Sequence, residues 1–203
     1  TDLGTVVVTA NKRSERLQDV PMAVSALQGL QLERESAVNF ADYATRVPGL
    51  NVISNGQGWT QLVLRGITSG SGQGNATVGT YVDDAPYGSS TVYAAGGVLT
   101  PDIDPDDLQR IEVLRGPQGT LYGSNTLGGL VKFVTTPPDS SVASARVGAG
   151  FSSTSGGDSG FSSRTMVNVP LVKDQLGLRV NAYRRDDPGY VDNSNTGRSD
   201  VNG

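Results

Sequence analysis

Three consecutive stretches in the last third of the chain alternate apolar and polar residues with period two. No other feature restricts the fold so much. Ala145, Val147, Ala149 and Phe151 alternate with Arg146, Gly148, Gly150 and Ser152. Thr165, Val167, Val169 and Leu171 alternate with Arg164, Met166, Asn168 and Pro170. Leu176, Leu178, Val180 and Ala182 alternate with Gly177, Arg179, Asn181 and Tyr183. Side chains on a β-strand point to opposite faces in turn, so each stretch predicts a strand with one apolar face. A half-buried soluble sheet would also alternate. Two details favour a membrane barrel: the apolar face is almost wholly small or aliphatic with an aromatic at one end, and the connections run long (153–159), short (172–175), long (from 186).

The residues before Pro138 are a different object. Residues 1–139 carry 9 basic and 14 acidic side chains, a net of −5, whereas residues 140–203 carry 7 and 6, a net of +1. Short helices are expected over Ala26–Glu35 and, capped by Asn39, over Phe40–Arg46; Pro48-Gly49 stops the second. Strands are expected at Leu50–Ser54, Gln61–Ile67, Val78–Val82, Arg110–Leu114 and Leu130–Thr135. Ser69–Asn75 and Gly88–Thr100 are rich in small residues and read as loops, and Gly116–Gly129 as a turn-rich segment. Asp104-Pro105-Asp106-Asp107 suits the start of a helical turn, with Asp104 at the N-cap and Pro105 at N1.

Several chemistries drop out. The chain has no Cys and no His. That removes disulfides, thiolate chemistry, the commonest general base and the commonest metal ligand. Gly157-Asp158-Ser159-Gly160 looks like a protease nucleophile segment, but its serine has no histidine to act as base. Asp102, Asp104 and Asp106 have the spacing that opens a Ca²⁺ loop, yet Asp107 and Val113 stand where that loop needs Gly and a carboxylate. No enzyme, cofactor or metal site is therefore expected. The net charge of −4 does not suit a nucleic-acid binder. No apolar run approaches 18 residues, so no transmembrane helix is expected. The sequence does not begin with Met, and its polar stretch from Asp186 to Gly203 closes no element. Both features suggest a piece of a longer chain.

Thr5-Val6-Val7-Val8-Thr9-Ala10 is a β-branched run between polar flanks. It reads either as an ordinary edge strand or as a strand offered to a partner's sheet edge.

The most specific signal is an ordered series. Arg46-Val47-Pro48-Gly49-Leu50-Asn51-Val52 is followed by Leu64-Arg65-Gly66 and Tyr81-Val82-Asp83-Asp84. Then come Ile111-Glu112-Val113-Leu114-Arg115-Gly116-Pro117-Gln118-Gly119-Thr120-Leu121-Tyr122-Gly123, a Gly-Gly step into a strand, and Pro137-Pro138. This series resembles the plug domain of TonB-dependent outer-membrane receptors over roughly residues 5–138. The resemblance implies an α+β plug, a small mixed sheet with short helices, followed by antiparallel strands of an incomplete transmembrane β-barrel. Its implied divisions are a TonB-box segment at 1–12, the plug at 13–139 and the first three strands at 140–203, from a barrel of about 22.

Further expectations come with it. Thr5, Val6, Val7, Val8, Thr9 and Ala10 would pair with TonB, driven by its inner-membrane energy-transducing complex. Arg65 and Arg115 would lock the plug to barrel glutamates, with Glu112 as a local but poorly placed partner. Gln57, Trp59, Gln73, Asn75, Tyr87 and Tyr93, on outward loops, would meet the ligand. The protein would sit in the outer membrane of a Gram-negative bacterium, against lipid, with its N-terminus periplasmic. It would import a scarce nutrient, an iron–siderophore or similar chelate. An oligosaccharide receptor of the same architecture and a soluble β-rich binding module are the alternatives.

Overall fold

The computed structural model describes residues 6–35, 40–54, 60–68, 76–88, 103, 107–153 and 157–186. The chain divides into two compact units, Thr1–Thr136 and Pro137–Gly203.

In the first unit a two-residue strand β1 (Val7–Val8) pairs antiparallel with β2 (Glu15–Arg16), and a 3₁₀ turn follows at Leu17–Asp19. Next come β3 (Val24–Gln28), α1 (Gly29–Arg34), α2 (Phe40–Ala44) and the hairpin β4 (Leu50–Ser54)–β5 (Thr60–Leu64). β6 (Val78–Val82), β7 (Ala85–Pro86), β8 (Leu108–Arg115), α3 (Gly119–Tyr122) and β9 (Gly129–Thr135) complete it. Five strands form one mixed sheet in the order β3-β8-β9-β6-β7, with β6 and β9 parallel and the other neighbours antiparallel.

β8 and β9 are the central strands, and both of their faces are covered. Ile111, Val113, Val131 and Phe133 pack with Leu32, Tyr43, Val47 and Leu64 on one face. Leu114 and Leu130 pack with Val8, Ala10, Val20 and Tyr122 on the other. This double burial explains why Arg110–Leu114 and Leu130–Phe133 are buried without interruption rather than in alternation.

The expected helix at 26–35 is corrected at its start. Val24–Gln28 is a strand paired with β8, from Val24 opposite Leu114 to Gln28 opposite Arg110, and the helix begins only at Gly29. Leu27, Leu30 and Leu32 fall near one face of a helix, but an open edge of β8 captures the start of this segment. The strand expected to run to Ile67 ends at Leu64, because Arg65 (φ 57°) and Gly66 (φ 76°) turn the chain in the left-handed region. The turn-rich segment after Gly116 contains the single-turn helix α3. Asn39, residues 89–100 and residues 104–106 lie outside the described residues.

The second unit is one antiparallel sheet of β10 (Ser144–Ser153), β11 (Ser159–Val172) and β12 (Leu176–Asp186), joined in sequence order. Direct cross-strand partners share a face. Val147 therefore lies beside Thr165 and Ala182, and Ala145 beside Val167 and Val180. That face is open: Val147 is 78% and Phe151 86% exposed. Phe151 pairs with Phe161 at the 153–159 end, ring centroids 5.3 Å apart. The other face carries Arg146, Arg164, Arg179 and Asn181. Pro170 has no N–H to give the ladder, and the β11–β12 register shifts between Pro170 and Val172.

Candidate functional site

The N-terminal strand is docked on the first unit rather than extended away from it. The Leu17 N–H donates to the Val6 carbonyl at 2.8 Å, which continues the β1–β2 pairing. Asn11 Nδ2 donates to Glu15 Oε2 across the turn, and Lys12 there adopts φ 56°. Val8 and Ala10 are fully buried, whereas Val7 is 40% exposed. The β-branched alternation of this run thus becomes an inside and an outside.

The anchor is a buried charge. Glu112 has no exposed surface, and Arg110, two residues along the same strand face, donates Nε–H to Glu112 Oε1 at 2.7 Å. The Thr9 N–H donates to that same Oε1 at 2.7 Å, and the Thr9 hydroxyl lies 3.2 Å from it. On the far side the Tyr122 hydroxyl donates to the Ala10 carbonyl at 2.9 Å, and Lys12 Nζ sits 5.3 Å from the centre of the Tyr122 ring. Burial first, then the nearby Glu112 carboxylate, push the Tyr122 phenol up to about 12, so it remains a hydrogen-bond donor at any physiological pH. Tyr81 holds Tyr122 edge-on, centroids 5.1 Å apart, with its hydroxyl on the Tyr122 carbonyl.

This anchoring suits reversible docking. A buried carboxylate left alone is costly, but Glu112 keeps Arg110 when Thr9 leaves. Undocking then loses a few hydrogen bonds, each worth about 1 kcal/mol, and exposes Val8 and Ala10.

Arg65 directly follows β5, and Arg115 ends β8. The Arg65 N–H donates to Gly49 O at 2.8 Å, and the Arg115 N–H to Ala23 O at 3.0 Å. The two lie near one another: a Cβ placed on Gly116 would be 3.6 Å from Arg65 Nη1. Arg115 Nε is buried without a hydrogen-bond partner, and among the described residues neither guanidinium meets a carboxylate. Glu112, the local partner considered for Arg115, belongs instead to Arg110 and Thr9.

Of the expected ligand-facing residues, Tyr87 stands 48% exposed just beyond β7, its N–H donating to Thr80 O. Gln57, Trp59, Gln73, Asn75 and Tyr93 lie outside the described residues, as does Thr5 at the start of the N-terminal run. The sequence reading missed the Glu112–Arg110–Tyr122 seat. A signal was there: a charge inside the apolar run Ile111-Glu112-Val113-Leu114 demands a buried partner. Lys132 made the same demand in β9 and is met by Asp84 at 2.9 Å.

The TonB-dependent Receptor Plug Domain family matches residues 16–130. The pesticin receptor of Yersinia pestis is 34% identical over 204 residues, which is all of this chain and 28% of that protein. A vitamin B12 transporter of Vibrio vulnificus is 35% identical over 149 residues, 72% of this chain and 23% of the transporter. The crystal structure of the ferric yersiniabactin uptake receptor of Yersinia pestis superposes with a TM-score of 0.72 at 28% identity, covering 89% of this chain and 26% of that one. The chain thus spans about a quarter of the length of these relatives. It belongs to the TonB-dependent receptors of the Gram-negative outer membrane, as a plug domain with the first antiparallel strands of the barrel.

Proposed function

We propose that the receptor to which this chain belongs binds a scarce iron chelate outside the cell and imports it actively. TonB, driven by its inner-membrane complex, would pull on Thr5–Ala10. The observation that carries this reading is the docked strand. It has the composition of a pairing strand, and its groups at Val6, Thr9 and Ala10 are held by the plug through bonds that a competing strand can replace. The iron-chelate assignment draws on the ferric yersiniabactin uptake receptor, 28% identical over 89% of the chain. The match to a vitamin B12 transporter supports a second reading, a corrinoid cargo.

The remaining roles follow from chemistry. Arg65 and Arg115, close together and lacking carboxylates among the described residues, suit acidic partners on the barrel wall. Gln57, Trp59, Gln73, Asn75, Tyr87 and Tyr93 offer hydrogen bonds and aromatic surface to the cargo. The apolar face of β10–β12 meets outer-membrane lipid.

Val7→Pro tests the traction. Val7 is half-exposed, so the change spares the plug core, but it removes a ladder donor. In a strain lacking its own chelate receptors, the full-length variant should bind labelled ferric siderophore normally and import none. Import at the wild-type rate would sink the assignment of this strand. Labelled cobalamin run in parallel decides between the two cargoes.

A further inference from the structure

Asn168 stands apart in the second unit. In β11 only it and Gly160 are buried, on a sheet otherwise open to its surroundings. What covers Asn168 is the segment that leads from the first unit into β10. Asn168 Oδ1 accepts the Asp139 N–H at 2.9 Å, while Nδ2 donates to the Asp139 carbonyl at 2.9 Å and to the Val142 carbonyl at 2.7 Å. The side-chain amide thus engages both backbone groups of Asp139, as a neighbouring strand would, and adds a third bond. An unpaired buried amide is costly, so the pairing is selective for this one backbone position.

The segment is stiffened and seated by its own residues. Asp139 Oδ1 accepts the Ser141 N–H at 2.7 Å, the Ser141 hydroxyl at 2.6 Å and the Val142 N–H at 3.2 Å. These bonds lower the Asp139 pKa, so the carboxylate is charged throughout the physiological range. The Asp174 N–H, in the turn between β11 and β12, donates to Ser140 O at 2.9 Å. The seat has no room for a side chain on β12: a Cβ on Gly177 would lie 2.9 Å from the Asp139 carbonyl oxygen and 3.2 Å from Pro138 Cβ.

We propose that Asn168 is an anchor that fixes the interdomain segment to the barrel wall, so that traction applied to the plug ends at Asp139 and does not reach the β10–β11 ladder. This rests on the reading that the N-terminal strand is pulled. The mechanical reason lies in the register. Ser144, the first residue of β10, is opposite Asn168 itself. A load arriving unchecked at Ser144 would fall directly on the β10–β11 ladder, beginning with its first rung. The Asp139–Asn168 clamp takes that load five residues earlier, on several bonds stretched at once.

The test is force spectroscopy on the full-length receptor in a lipid bilayer, pulled by a handle at its N-terminus; the handle replaces TonB, so the outcome does not depend on the uptake reading. In the wild type, extension should stop after residue 138. Asn168→Ala should let it continue to the end of β10 at Ser153, 15 residues or about 50 Å of further chain, at lower force. Asp139 amide exchange should rise at least tenfold. Asp139→Ala, which removes only side-chain bonds to Ser141 and Val142, outside the strands, should lower the force in the same direction and covers the case in which the Asn168 variant does not assemble. Wild-type extension and force in the assembled Asn168 variant, or in Asp139→Ala where that variant fails to assemble, overturns the proposal.

Discussion

Glu112 shows how one residue ties the plug's core to its N-terminal strand. It is fully buried between Arg110 on its own strand and Thr9, 103 residues away in sequence. Glu112→Ala leaves the buried Arg110 guanidinium without its carboxylate, with only the neutral Gln109 and Thr9 oxygens to accept from it, and removing one partner of such a buried pair costs about 3–5 kcal/mol. The plug transition of the full-length receptor in urea should fall accordingly, and a label at residue 7 should become mobile under native conditions. Lys132 and Asp84 give a second, pH-dependent case. The hydrogen bond from Lys132 lowers the Asp84 pKa below its ordinary 3.8, which outweighs the opposing effect of burial. A carboxylate with a depressed folded pKa stabilises the fold at pH above its ordinary value, and that share is lost as pH falls through the lowered one. Asp84→Asn should therefore destabilise the plug at neutral pH and match the wild type more closely once the pH has fallen through the lowered Asp84 pKa. Acid titrations of both proteins, followed by tryptophan fluorescence, check the convergence.

Among the elements, β8 carries the greatest share of the architecture, because both cores and the N-terminal strand rest on it. Its pairing with β9 ends at a position only glycine tolerates. Gly129 has φ 140°, and a Cβ there would overlap the Leu114 carbonyl and lie 2.5 Å from Leu64 Cδ2. Gly129→Ala should cost the plug at least about 2 kcal/mol, from backbone strain and from the parted strands together. A urea midpoint within error of wild type would show that the strands can part freely there. Legibility in the sequence follows the same physics. The strands at 50–54, 78–82 and 144–186 are visible because a local period-two pattern or a β-branched run decides them. β3 is not visible, since its strand state comes from an open edge of β8 more than 80 residues on. The seat of the N-terminal strand is hidden for the same reason: Thr9 meets Glu112 only after the whole sheet has formed.

For the molecule as a whole, the decisive contrast is between two faces of one three-stranded sheet. Val180 sits opposite Val167 on the apolar face, near the middle of β11, and Asn181 follows on the other face opposite Met166. A soluble protein would have to cover Val147, Val167 and Val180 with its own core; a membrane covers them with hydrocarbon. The two environments answer a charge differently. At the bilayer midplane a lipid-facing arginine costs about 2–4 kcal/mol, whereas a lumen-facing one is tolerated. Val180→Arg in the full-length receptor should therefore reduce the heat-modifiable, folded fraction recovered from outer membranes, and Asn181→Arg, one residue along, should not. The polar face already carries Arg146, Arg164 and Arg179, so the second variant adds a residue type that this face accepts. Equal loss from both variants would mean that the sheet is packed on both sides by protein, and the lipid assignment of the apolar face would then fail.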